Sequence, residues 1–147
     1  MIAAQKGRDW YLFDPSECPD LHETYGKKFT RVYNKYKKMA KEGGIKNFRV
    51  INAKDLWKKM LKSLYETGHP WITFKDPSNI RYSNKHEGVV HSSNLCTEIF
   101  LHTKHSEYNE GEKTTVGETA VCNLSSINLS NHVVGNKVDK KLLASTI

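Results

Sequence analysis

The sequence predicts an α/β layer, on three observations. Two stretches, about residues 25–41 and 53–67, place their apolar residues at helical spacing. Short apolar runs at residues 10–13, 71–74, 98–101 and 119–124 have the length of strands, most with turn residues beside them. The order along the chain is strand, helix, helix, strand, loop, strand, strand, helix, which suits helices layered on a sheet better than a bundle. Nothing in that order fixes a parallel or an antiparallel arrangement.

Trp10-Tyr11-Leu12-Phe13 comes first, closed by Asp14-Pro15 and Pro19, and reads as a short buried strand. It follows Met1 with little lead-in, so the chain is expected to begin inside a larger fold. From Tyr25 to Lys41, Phe29, Val32, Tyr33, Tyr36 and Ala40 make one helical stripe, and Lys27, Lys28, Arg31, Lys35 and Lys38 take the other side. Gly43-Gly44 stops that helix. Asn52 is a suitable N-cap for the next, whose stripe is Leu56, Trp57, Met60, Leu61, Leu64 and Tyr65. Gly68 suits its left-handed end.

Trp71-Ile72-Thr73-Phe74 is expected as a strand broken by Lys75-Asp76-Pro77-Ser78-Asn79, with a polar loop to Gly88. Glu98-Ile99-Phe100-Leu101 is expected as another, then a loop from His102 to Gly117, then a strand over residues 119–124. Gly135-Asn136 is a turn, and Asp139 caps a helix opening at Lys140. That helix runs about two turns before Ile147 and would not stand alone, so a truncated end is expected.

The 147 residues fit one domain or part of one, and 37% hydrophobic content allows only a small core. The net charge of +7 is uneven: residues 26–62 hold 13 Lys/Arg against Glu42 and Asp55. Three cysteines, Cys18, Cys96 and Cys122, with no close pair argue against a disulfide framework. No apolar run has the length of a signal peptide or a membrane span. A reducing, cytoplasmic setting is expected, with the sequons at Asn123 and Asn128 silent.

The stretch His91-Ser92-Ser93-Asn94-Leu95-Cys96-Thr97-Glu98-Ile99 carries the chemistry. On an extended backbone Asn94, Cys96 and Glu98 would share one face. An amide, a sulfur and a carboxylate together suit redox or radical chemistry on a polar substrate. Each has a plain reading when alone: a free Cys is usually a small buried hydrophobe, an Asn a turn residue and a Glu a solvated strand end. Cys122, 26 residues after Cys96, is far enough along for a strand, a loop and a return strand between them. Cys18 reads as an incidental loop cysteine.

Ser92-Ser93-Asn94-Leu95-Cys96-Thr97-Glu98-Ile99 resembles the catalytic (large, or alpha) subunit of ribonucleotide reductase. Residues 10–15 with Pro19-Asp20-Leu21 resemble the segment before that family's active site. Residues 68–76 resemble the strand and turn leading to its catalytic loop, and residues 118–129 the strand that carries a redox cysteine. The resemblance covers nearly the whole chain. It implies a partial segment of a ten-stranded α/β barrel carrying the catalytic cysteine loop, with residues 1–147 a single partial domain and the N- and C-terminal parts absent.

The resemblance further implies that Cys96 is the transient thiyl radical that removes the ribose 3′-hydrogen. Glu98 would be the general base on the 3′-hydroxyl, and Asn94 would hold the hydroxyls. Cys122 would be one of two thiols that reduce the substrate and close to a disulfide. Residues Asn94, Leu95, Cys96, Thr97 and Glu98 would line the ribose, shielded from water inside the barrel. The implied partners are a ribonucleotide substrate, the remaining segments of the subunit, a radical-generating small subunit and a thioredoxin or glutaredoxin type of reductant. The radical would come from a metal-containing partner or from adenosylcobalamin, with no cofactor and no metal bound by this segment, which alone is expected to be inactive.

Two other classes stand beside this one. The basic block could make a nucleic-acid-binding module, although its lysines fall on the outer faces of two amphipathic helices and match no recognition motif. His86, His91, Cys96, His102 and His105 could bind zinc, but with no Cys-x-x-Cys half their spacing fits no finger. No Gly-rich phosphate loop is present.

Overall fold

The computed structural model describes residues 1–147. In chain order it contains α1 (Ile2–Gln5), β1 (Asp9–Phe13), α2 (Pro19–His22), α3 (Gly26–Lys41), β2 (Phe48–Asn52), α4 (Ala53–Thr67) and α5 (Lys75–Arg81). There follow β3 (Glu107–Asn109), β4 (Glu112–Thr115), a 3-10 turn (Leu129–His132), β5 (Val133–Val134), β6 (Lys137–Val138) and α6 (Lys140–Thr146). The strands form three separate two-stranded antiparallel ribbons, β1-β2, β3-β4 and β5-β6. The arrangement is α/β, as expected, and no barrel closes within these residues.

The packed half is the N-terminal one. β1 pairs with β2 with Trp10 opposite Ile51 and Phe13 opposite Phe48. β2 was not expected, because Phe48-Arg49-Val50-Ile51 has no clean apolar alternation. α3 lies against this ribbon and buries Tyr33, Tyr36 and Ala40 from its predicted stripe. The Tyr33 ring stacks on Trp10 at 4.4 Å, and its hydroxyl accepts the Tyr11 backbone N–H at 2.7 Å. That bond satisfies an amide on the outer side of a ribbon strand, which would otherwise face an apolar helix unpaired.

Cys18 was read as incidental and is not. It is 2% exposed and packs with Tyr36, Ala40 and Ile45. Burial, with Glu17, Asp20 and Asp14 nearby, pushes its thiol pKa up, as expected of a packing group. The Tyr36 hydroxyl donates to Asp20, a bond that, with burial, raises the tyrosine to about 12.

Both ends of α4 are as predicted. Asn52 Oδ1 accepts the N–H groups of Lys54 and Asp55, and Gly68 ends the helix at φ 75°. Of α4 only Ala53 is buried. Its apolar residues line an open groove of about 500 Å³ with α1 and residues 70–74. The short α1 fills the lead-in that looked empty in the sequence.

Residues 71–74 form no strand, and the expected break at Lys75 is the start of α5. Pro77 lies in the first turn of that helix, where its missing N–H is not needed. Asp76 in the same turn accepts the Gly26 N–H at 2.8 Å, which ties α5 to the start of α3. Asn79, 2% exposed, then grips Val90: its Nδ2 donates to the Val90 carbonyl at 3.0 Å and its Oδ1 accepts the Val90 N–H at 2.8 Å.

The C-terminal half is thinly packed. Residues 98–101 and 119–124, expected as strands, have no ladder partner. Lys104 and Glu118 make one isolated antiparallel bridge, at 3.0 and 2.8 Å. The β3-β4 hairpin falls where a loop was expected, and it turns through Glu110 at φ 51° and Gly111 at φ 87°. The Gly135-Asn136 turn and the Asp139 cap are both present, the latter accepting from Lys141 and Leu142. No helix is long and apolar enough to cross a membrane.

Replacing Asn79 by Ala leaves the Val90 N–H and C=O buried without partners and should cost about 2–3 kcal/mol in urea unfolding. An unchanged midpoint would mean that water reaches Val90. Tyr36 carries a raised pKa, so its contribution is full below about pH 10 and is lost as pH climbs toward 12. The stability gap between the native chain and Tyr36→Phe should therefore be constant up to pH 9 and narrow by pH 11 in paired denaturation curves.

Candidate functional site

Residues 91–99 do not run extended. They fold back in a tight turn organised by Asn94. The Asn94 N–H donates to the Ile99 carbonyl at 3.3 Å, and the Thr97 N–H donates to the Asn94 carbonyl at 3.2 Å. The Asn94 side chain closes the loop: Oδ1 accepts the Ile99 N–H at 3.1 Å, and Nδ2 donates to Glu98 Oε1 at 2.7 Å. Thr97 takes φ 65°, a left-handed conformation uncommon for a β-branched residue.

The alternate-face expectation is therefore corrected. Asn94 and Glu98 do meet, but across a turn, and Leu95 and Cys96 stand at its tip. Leu95 is 92% exposed, and Cys96 and Glu98 are exposed as well. The expected shielding of this loop is not built by residues 1–147. Cys122 is exposed too. It and Asn94 line one concavity of about 320 Å³, floored by Ile99, Leu101 and Ala120. The structure thus joins Asn94 to Glu98 by a hydrogen bond and to the Cys122 segment across the concavity, while Leu95, Cys96, Thr97 and Glu98 lie outside its lining.

The base of the turn is well held. Val90 is fixed by Asn79, as above. His102 Nδ1 lies 2.8 Å from the Val89 carbonyl, and its ring sits against Gly88, where an added Cβ would come within 2.4 Å. His91 stacks on His22 at 4.0 Å between ring centres, and its Nε2 is 3.2 Å from Glu23 Oε1. Burial is the largest effect on His91; with the neighbouring His22, Lys75 and His102 it outweighs Glu23 and lowers the imidazole pKa.

The five-residue zinc set does not assemble. His86 pairs with Glu87 at 3.0 Å and His105 lies 3.9 Å from Glu107. The group whose donor atoms converge is instead His22, Glu23 and His91. The sequence carries no local sign of it, since His91 is far along the chain from the other two. Most lysines of the basic block lie on exposed faces of α3 and α4, with Lys38–Glu42 and Lys62–Glu66 pairs at 3.7 Å, an ordinary solvated surface.

A family model described as the ribonucleotide reductase barrel domain matches residues 1–147. The chain is 50% identical over 143 residues to the ribonucleoside-diphosphate reductase subunit alpha of Chlamydia trachomatis, covering 97% of this chain and 12% of that protein. It is 40% identical over 166 residues to the subunit alpha of Helicobacter pylori, covering 82% and 21%. It is 38% identical over 146 residues to the large subunit of Danio rerio, covering 99% and 16%. The chain therefore spans only a small part of the length of these relatives.

Thr97→Gly should stabilise the chain by about 0.5–1 kcal/mol, because glycine removes the strain of a β-branched residue at positive φ. A destabilised variant in thermal or urea unfolding would show that Thr97 does not occupy the left-handed region.

Proposed function

The chain belongs to the family of ribonucleotide reductase barrel domains, and from that premise we propose that it is a central section of a catalytic subunit that reduces ribonucleotides to deoxyribonucleotides. The observation that carries this reading is the Asn94 turn. One amide orients the Glu98 carboxylate at 2.7 Å and fixes the loop at Ile99, with Cys96 between them at the tip.

In this reading Cys96, as a thiyl radical, takes the 3′-hydrogen of the ribose and becomes a thiol. Glu98 accepts the 3′-hydroxyl proton, and its bond to Asn94 holds it ready for that transfer. Asn94 presents an amide to the ribose hydroxyls. The 2′-hydroxyl leaves as water with a proton from one of a pair of thiols; as that pair closes to a disulfide its two electrons and second proton reduce C2′, and Glu98 returns its proton to the 3′-oxygen. Cys122 is one of that pair, and its place on the concavity shared with Asn94 supports the assignment. Leu95 and Thr97 complete the ribose contacts. The hydrogen first taken returns to the 3′-carbon, and the radical returns to Cys96.

The same proposal places residues 1–147 as one partial domain of a ten-stranded barrel in the cytoplasm. Other segments of the subunit supply the strands that cover the turn. The radical on Cys96 arises outside this section, from a metal-containing small subunit or from adenosylcobalamin. A thioredoxin or glutaredoxin type of protein restores the thiols. The basic-module alternative finds no support in the comparisons.

In the subunit with its remaining segments present, Cys96→Ser should abolish deoxyribonucleotide formation. Cys122→Ser should allow at most one turnover per site, read as product per subunit in a quenched assay. Steady turnover by Cys96→Ser would overturn the assignment of the radical.

A further inference from the structure

We propose that His22, Glu23 and His91 form a binding site for a divalent first-row transition metal, zinc being the ion whose usual donors they match. Two imidazoles and one carboxylate are the donor set of zinc sites that leave a fourth position to water. Their three ligand atoms lie within 4.8 Å of one another. Metal–donor bonds of about 2.0–2.2 Å in a tetrahedron set donors roughly 3.3 Å apart. His91 Nε2 and Glu23 Oε1 are already 3.2 Å apart.

The three side chains divide the work by their burial. His91 is the fixed member, its side chain 14% exposed and its ring against His22. His22 and Glu23 are exposed at the end of α2 and free to adjust. The His22 ring now lies nearly parallel to His91, at 14°, so it must tilt for both lone pairs to converge. An ion on His91 Nε2 would break only the bond to Glu23, and would leave the Nδ1–H buried without an acceptor, since Nδ1 has no hydrogen-bond partner.

One group opposes a cation. Lys75 donates to the His22 carbonyl, and its charge is felt at His91. A bound ion would join the end of α2 to the residue that enters the Asn94 turn, and so would brace that turn from below. The inference does not depend on the reductase reading.

The test is titration of the metal-free 147-residue chain with Zn²⁺ by calorimetry, and with Co²⁺ by visible absorption. One equivalent should bind with a tetrahedral or five-coordinate Co²⁺ spectrum. His22→Ala and Glu23→Gln, both at exposed side chains, should each weaken Zn²⁺ binding by at least about tenfold, as should His91→Gln. Lys75→Gln should strengthen it. Unchanged affinity in His22→Ala and Glu23→Gln overturns the site, as does the absence of binding. A thiolate-to-Co²⁺ charge-transfer band also overturns it, because the ion would then sit on exposed Cys96 or Cys122.

Discussion

The candidate site hangs on one side chain below it. Asn79 offers Val90 the two hydrogen bonds that a neighbouring strand would offer, and both are buried. α5 is in turn tied to the start of α3 through Asp76, and to α2 through Lys75. The packed N-terminal half thus reaches residues 90–99 through the seven-residue α5 and through the contacts of His22 and Glu23 with His91. An amide can do this because it carries a donor and an acceptor in fixed geometry, which a hydroxyl or a carboxylate does not. The turn that follows starts one residue later, at His91, where a second contact to α2 begins.

Beyond Val90 several apolar side chains have the exposure of a surface. Val116, Val121, Leu124 and Leu129 are all more than half exposed, and α4 leaves Leu56, Trp57 and Met60 along an open groove. Apolar runs without partners are costly in water. On the proposed reading, other segments of the subunit cover them, and the small share of each relative that this chain spans leaves ample chain to do so.

That contrast also explains what could be read from the sequence. Features set by local chemistry were legible: the Asn52 and Asp139 caps, the Gly68 end, the Gly135 turn and the α3 stripe. Each depends on residues within one or two turns of itself. Strands at 71–74, 98–101 and 119–124 were not correctly legible, because a strand needs a partner and the sequence names none. The β3-β4 hairpin was missed for the opposite reason: its residues are polar on both faces and show no period. Cys18 looked incidental because its neighbours are Glu17 and Pro19, yet α3 and Ile45 close over it from elsewhere in the chain. The arrangement of residues 94–98 was not legible, since Thr97 bends the backbone where the alternation of residue types suggests an extended one.

The bend matters to the chemistry. The bonds that close the turn are made among residues 94–99. Its geometry is therefore local, and Asn94 and Glu98 are in register within it. Radical chemistry asks two things of such a loop, correct placement of its groups and exclusion of water. The first is met locally by a single asparagine. On the proposed reading the second, with Cys96 exposed at the tip, falls to other segments of the subunit, so placement and shielding would come from different parts of it.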